Sequence, residues 1–135
     1  MARSDETVEI LPVELPDALR YMRAEARMAT ALPARLTALS GEMIPVLLAD
    51  LSPTGVMVLV DRRMSPLLPL PNGMSLWIEF YLDEIEVVDA VVRVRAMKER
   101  GRFQLEIGCS FVDLTDQART AIRSKVAASK IARRS

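Results

Sequence analysis

Apolar residues fall in short runs at 34–39, 43–51, 56–60, 75–82, 85–96 and 102–112, separated by Gly, Pro, Asn and Asp. Runs of this length bounded by turn formers predict strands. The last is the most regular: Phe103, Leu105, Ile107, Cys109 and Phe111 alternate with Gln104, Glu106, Gly108 and Ser110. That is the period of a strand with one buried face, so Cys109 is expected as a core thiol. Ser40-Gly41, residues 52–55, Asn72-Gly73, Asp83-Glu84 and Arg100-Gly101 supply the turns. Pairs such as Asn-Gly suit hairpins because the turn positions need positive φ. Six strands joined by short connections predict a mainly β fold, an antiparallel barrel or sandwich. Closure into a barrel hides the edges of so small a sheet.

The period changes at both ends of the chain. Ala118, Ile122, Val126 and Ala127 recur at helical spacing, Thr115 is placed to cap, and Asp116 opens the first turn. An amphipathic C-terminal helix over 115–134 is therefore expected to pack on the barrel. Leu15, Leu19, Met22 and Ala26 recur at i, i+4, i+7 and i+11, which predicts a short N-terminal helical segment over 16–26. Trp77 is expected to be packed within its apolar run, and Asp83, Glu84 and Glu86 to form a solvated hairpin tip.

Composition narrows the function classes. The chain has 135 residues, one domain by length, and 50% of them are hydrophobic, enough for a core without staples. Lys+Arg and Asp+Glu both count 18, and this zero balance argues against a general DNA, RNA or anionic-membrane binder. With no His and one Cys, the zinc sites, Ser-His-Asp triads and Cys-His dyads of many enzymes have no material here. One Cys allows no internal disulfide, which fits a reducing compartment. No signal peptide is recognisable in the first 20 residues, and the longest uncharged stretch, 64–78, is interrupted by three prolines. A cytoplasmic domain without membrane insertion is expected. Residues 1–17 hold five acids against one arginine, a net of −4, whereas 119–135 holds six cations and no acid. Residues 1–19 accordingly read as an acidic N-terminal extension to a domain spanning 20–135.

Two segments carry candidate chemistry. Arg20, Arg23 and Arg27 place three guanidiniums in eight residues ahead of the first strand, and Asp50-Leu-Ser52-Pro-Thr-Gly55 forms the turn between the second and third. Arginine presents planar charged forks that pair with phosphate and with the O6/N7 edge of guanine. Aspartate accepts from the N1–H and N2–H₂ donors of guanine, the Ser52 hydroxyl donates or accepts, and Gly55 lets backbone approach a flat base. Together they suit an anionic guanine nucleotide. A glycine-rich phosphate loop is absent, which disfavours a triphosphate.

Arg23-x-x-x-Arg27 followed by Asp50-x-Ser52-x-x-Gly55 resembles the signature of the PilZ domain family, R-x-x-x-R and then D/N-x-S-x-x-G. Leu32-Pro-Ala-Arg-Leu36 resembles the family's entry into its first strand. Ile107-Gly-Cys-Ser-Phe111, Leu114 and the helix beyond resemble its closing strand and C-terminal helix. The resemblance spans residues 20–131. It implies a six-stranded antiparallel β-barrel that binds cyclic di-GMP as a receptor and effector, not an enzyme, with no catalytic residue, metal or cofactor. Arg23 and Arg27, with Arg20 one turn earlier, would grip guanine edges and phosphates, Asp50 and Ser52 would contact a guanine, and Gly55 would keep that surface open. Many members carry a further arginine where this chain has Met22. The resemblance thus leaves open whether Arg20 replaces it or the site holds one ligand molecule instead of a stacked pair. Ligand bridging the two motifs is expected to reposition the N-terminal segment and alter a surface for a protein partner. The rival reading is a PilZ-like adaptor that does not bind nucleotide, as a monomer or weak homodimer.

Overall fold

The computed structural model describes residues 26–134. Six strands, β1 (Met28–Thr37), β2 (Met43–Leu51), β3 (Gly55–Asp61), β4 (Ser75–Tyr81), β5 (Val87–Arg100) and β6 (Gln104–Asp113), precede one helix, α1 (Asp116–Arg134). The strands close into a barrel in the order β1-β2-β3-β6-β5-β4, every neighbouring pair antiparallel. Of the N-terminal helical segment predicted over 16–26, all but Ala26 lies outside the described residues, as do Arg20 and Arg23. Among the described residues no helix is long and apolar enough to cross a membrane.

Alternation of side chains fills the barrel. Leu36, Ile44, Leu48, Val58, Ile78, Phe80, Val92, Leu105 and Ile107 point inward and are almost completely buried. Cys109 joins them, and burial pushes its thiol up to about 12. The thiol is then held in its unreactive protonated form, so a thiol reagent should modify Cys109 only after denaturant unfolds the barrel. Modification of the native protein at the rate of a free thiol would contradict this packing.

Hairpins join β1 to β2, β2 to β3, β4 to β5 and β5 to β6, and Gly41 (φ 93°) and Gly101 (φ 72°) supply the positive φ in two of them. The connection from β3 to β4 differs from the expectation of short links throughout. Residues 62–74, opening with a 3₁₀ turn at Arg62–Met64, carry the chain from β3 across to β4, which are not neighbours. Asn72-Gly73 does make a positive-φ turn, but the N–H of Gly73 bonds the carbonyl of Val94 at 2.7 Å, anchoring this crossing to β5.

β1 begins earlier than the apolar pattern predicts and contains Pro33. Pro33 pairs with Leu47 of β2, whereas pairing of β1 with β4 starts only at Ala34. Pro45 is placed likewise, on the part of β2 that pairs with β1 and not β3. A residue without an N–H is tolerated where a strand has one neighbour. α1 lays Ile122 and Val126 onto the core with Ala121 beside them, while Ala127, expected on this face, is exposed. Thr115 caps the helix as predicted, its Oγ1 accepting the N–H of Ala118 at 3.1 Å.

Candidate functional site

The segment before β1, the end of β2, the start of β3 and the first turn of α1 meet at one end of the barrel. The local geometry originates in an irregularity of β2. Ile44, Val46 and Leu48 point inward, so strict alternation would send Asp50 inward as well. Pairing with β3 instead steps from Leu48↔Val58 to Asp50↔Met57, leaving Ala49 as an extra residue. The bulge reverses the parity: Leu51 enters the core and Asp50 turns out. Opposite it, pairing with β1 steps from Ala29↔Asp50 to Leu32↔Leu48. Thr30 fills that gap, donating its hydroxyl to the Leu48 carbonyl at 2.8 Å and accepting the Leu32 N–H at 3.1 Å.

Asp50 Oδ2 lies 3.3 Å from Arg27 Nη1, and Oδ1 accepts the N–H of Leu51 at 3.1 Å. The Asp50 side chain is 20% exposed and that of Arg27 43%, so solvent reaches both. Burial pushes the Asp50 carboxyl above its ordinary value, and the Arg27 charge and Leu51 N–H offset only part of that rise. A cationic fork and a partly desolvated acceptor thus sit side by side, matched to a ligand that presents acceptors and donors on one edge.

The structure gives Ser52 and Gly55 different surroundings from those expected. Ser52 is completely buried. Its Oγ accepts the N–H groups of Thr54 and Gly55, both at 3.1 Å, and its own N–H bonds the Gly55 carbonyl at 2.9 Å. This hydroxyl builds the turn that follows Asp50 instead of facing solvent. Gly55 is buried too: a Cβ there would lie 2.3 Å from the carbonyl oxygen of Cys109. Its missing side chain is what allows β3 to approach β6.

The turn has two further anchors. The Phe111 N–H bonds the Thr54 carbonyl at 2.9 Å, and Arg119 of α1 donates to the Pro53 carbonyl at 2.8 Å. Arg119 was not legible as a site residue, although its position carries a signal. A cation in the first turns of a helix opposes the dipole, which makes a compensating partner outside the helix worth seeking. Trp77, expected to be packed, faces outward at 44% exposure on the other side of the barrel from β3 and β6. Phe103 is 38% exposed and precedes β6, with Arg63 stacked 3.8 Å from its ring centroid. The buried face of that strand therefore starts at Leu105.

A family model for the PilZ domain matches residues 21–128. No curated protein sequence matches the chain. Among solved structures, the inhibitor of motility of Bacillus subtilis (MotI/DgrA) superposes with a TM-score of 0.69 at 16% identity, over 82% of this chain and 51% of that one. The PilZ domain of Escherichia coli YcgR, solved with c-di-GMP, gives 0.67 at 16% identity over 84% and 95%. Apo MrkH of K. pneumonia gives 0.67 at 16% identity over 84% and 54%. The chain thus spans about half the length of the Bacillus and Klebsiella proteins and nearly all of the isolated YcgR domain.

Proposed function

The chain belongs to the PilZ domain family, and from that membership we propose that it is a cytoplasmic receptor for cyclic di-GMP, an effector and not an enzyme. The observation that carries the reading is the pairing of Arg27 with a bulge-exposed Asp50 at 3.3 Å, the place where the two family motifs meet. Guanine presents O6 and N7 acceptors to the Arg27 fork and N1–H and N2–H₂ donors to the Asp50 carboxylate. Arg20 and Arg23 belong to the same arginine segment and add phosphate and guanine contacts. Ser52 holds the turn in shape, and Gly55 supports it from beneath.

Ligand seated between the arginine segment and the 50–55 turn exchanges the Arg27–Asp50 contact for contacts to itself. The segment that precedes β1 is then held against the barrel end, and the surface it presents to a protein partner changes. The equilibrium shifts only by the difference in ligand affinity between the two arrangements. Arg119 gives the same event a route into α1, because it holds the turn by the Pro53 carbonyl.

Calorimetric titration with cyclic di-GMP, with GTP and cyclic di-AMP as controls, tests the reading. Selective binding is expected, and the molar ratio decides between one ligand and a stacked pair at a site with Met22 before its first motif arginine. A folded protein that gives no heat at high micromolar ligand would leave the adaptor reading in its place.

A further inference from the structure

Charge in this chain gathers at its two ends. Residues 1–17 hold Asp5, Glu6, Glu9, Glu14 and Asp17 against one arginine, whereas 119–135 holds six cations and no acid. The acidic stretch, with Lys130, Arg133 and Arg134, lies outside the match to the family model, so the barrel fold does not require these charges. On α1, Ile122 and Val126 are buried against the barrel. Along one flank of that line the helical period brings positions 119, 123, 130 and 134 together, all of them Arg or Lys. The helix dipole favours cations only in the last turn, which accounts for Arg133 and Arg134 but not for Arg119 and Arg123. Arg119 meets a neutral acceptor, the Pro53 carbonyl, and Arg123 is exposed. Lys125, on the other flank, is answered within the barrel by Asp83. The N–H groups of Ile85 and Glu86, and then the Lys125 charge, hold that carboxyl below its ordinary value.

The opposite end of the barrel offers no such surface. Its arginines already face carboxylates: Arg62 pairs with Glu99, Arg63 with Asp61 and Arg100 with Glu106. The chain also enters the fold beside α1. Arg27 touches Asp50, and the cationic flank starts at Arg119 on the Pro53 carbonyl of the same turn. Ten residues separate Asp17 from Arg27 and span up to about 33 Å when extended, while positions 119 to 134 cover about 22 Å of helix. The acids can therefore reach every cation on the flank. We propose that the cationic flank of α1 is a docking surface for the chain's own acidic residues 1–17. Opposite charges supply the attraction, so the contact is reversible and screened by salt. It places carboxylates beside the Arg27–Asp50 pair, where an arriving anion competes with them. That competition rests on the nucleotide-receptor reading above; the docking itself does not.

A nitroxide on Thr7→Cys tests the docking without any ligand, because buried Cys109 is left unmodified. Paramagnetic broadening of backbone amides is read in the full chain, with circular dichroism melts to establish that each variant folds. At about 0.01 M salt the amides of 119–134 should broaden, and at about 1 M salt the effect should vanish. R123E/K130E should remove most of it, as should neutralisation of the acids by D5N/E6Q/E9Q/E14Q/D17N. No broadening of α1, broadening indifferent to salt and charge, or broadening of the 38–42 and 100–103 hairpins in its place overturns the proposal. So does broadening seen only between a labelled copy and a second, isotope-labelled one, which would make the contact intermolecular. Calorimetry then separates the two readings. The neutralised variant should bind cyclic di-GMP several-fold more tightly than the wild type at low salt. Equal affinity would overturn the competition and leave the docking, whereas no heat from either folded protein would overturn the receptor reading alone.

Discussion

Replacing Arg27 by Ala should leave the barrel almost as stable as before and weaken cyclic di-GMP binding by about 1–3 kcal/mol, roughly 5- to 150-fold. The two expectations have different origins. The Arg27 side chain is 43% exposed, and its contact with Asp50 is a solvent-reached ion pair, a kind that contributes about 0–1 kcal/mol to folding. A guanidinium fork on a guanine edge or a phosphate is a charge-assisted, directional contact, stronger than a solvent-reached ion pair. Thermal melts with and without ligand separate the effects: the apo midpoint should barely move, and the ligand-induced rise should shrink. Unchanged affinity in a folded Arg27→Ala protein would remove Arg27 from the site.

Asp50 adds a pH signature to the same experiment. Its carboxyl titrates above the ordinary aspartate value because burial outweighs the Arg27 charge. In the free protein, protonation is therefore favoured over the unfolded chain, and this group's contribution to stability falls as pH rises through its folded value. Binding has the opposite sense. Guanine's donors require the carboxylate, so ligand displaces the proton and affinity should fall as pH is lowered through the raised Asp50 value. Asp50→Asn retains an acceptor oxygen, and the family pattern allows Asn there. It should bind with a flattened pH dependence over that range, since the titrating group is gone.

How far the sequence could be read depended on which signals are local. Helical spacing at Ile122 and Val126, alternation at Leu105, Ile107 and Cys109, and the Thr115 cap each arise within a few residues, and each is present in the structure. The closed barrel, too, follows from short strands that need their edges covered. The crossing at 62–74 was hidden because Asn72-Gly73 makes the same turn whether or not its flanking strands pair. Pro33 shortened the expected first strand, since a proline's acceptability depends on the absence of a neighbour on one side, a tertiary fact. The site shows the same division. Residues that meet there were identifiable as chemical types, but not the job of each. Asp50 is turned out by a bulge at Ala49 that no residue in β2 announces, and the Ser52 hydroxyl has its hydrogen bonds within its own turn.

Gly55→Ala should be the most damaging single-methyl change near the site. The added Cβ would sit 2.3 Å from the Cys109 carbonyl oxygen and 3.3 Å from both the Cys109 carbonyl carbon and Ser110 Cα. All three are backbone atoms of β6, so no flexible side chain can yield; β3 and β6 must separate where Gly55 pairs with Ser110. Overpacking usually costs about 1–3 kcal/mol, and a rigid obstacle places this case at or above the top of that range. For a domain of this size the melting temperature should drop by roughly 10 °C or more. Gly41→Ala is the informative control. Gly41 has φ 93° but nothing within 4 Å of an added Cβ, so only backbone strain opposes the change, about 1–2 kcal/mol. A larger loss at Gly55 than at Gly41 would assign the motif glycine to strand packing. If instead folded Gly55→Ala melts like the wild type and loses cyclic di-GMP binding, the glycine serves the ligand directly, and the packing argument for it fails.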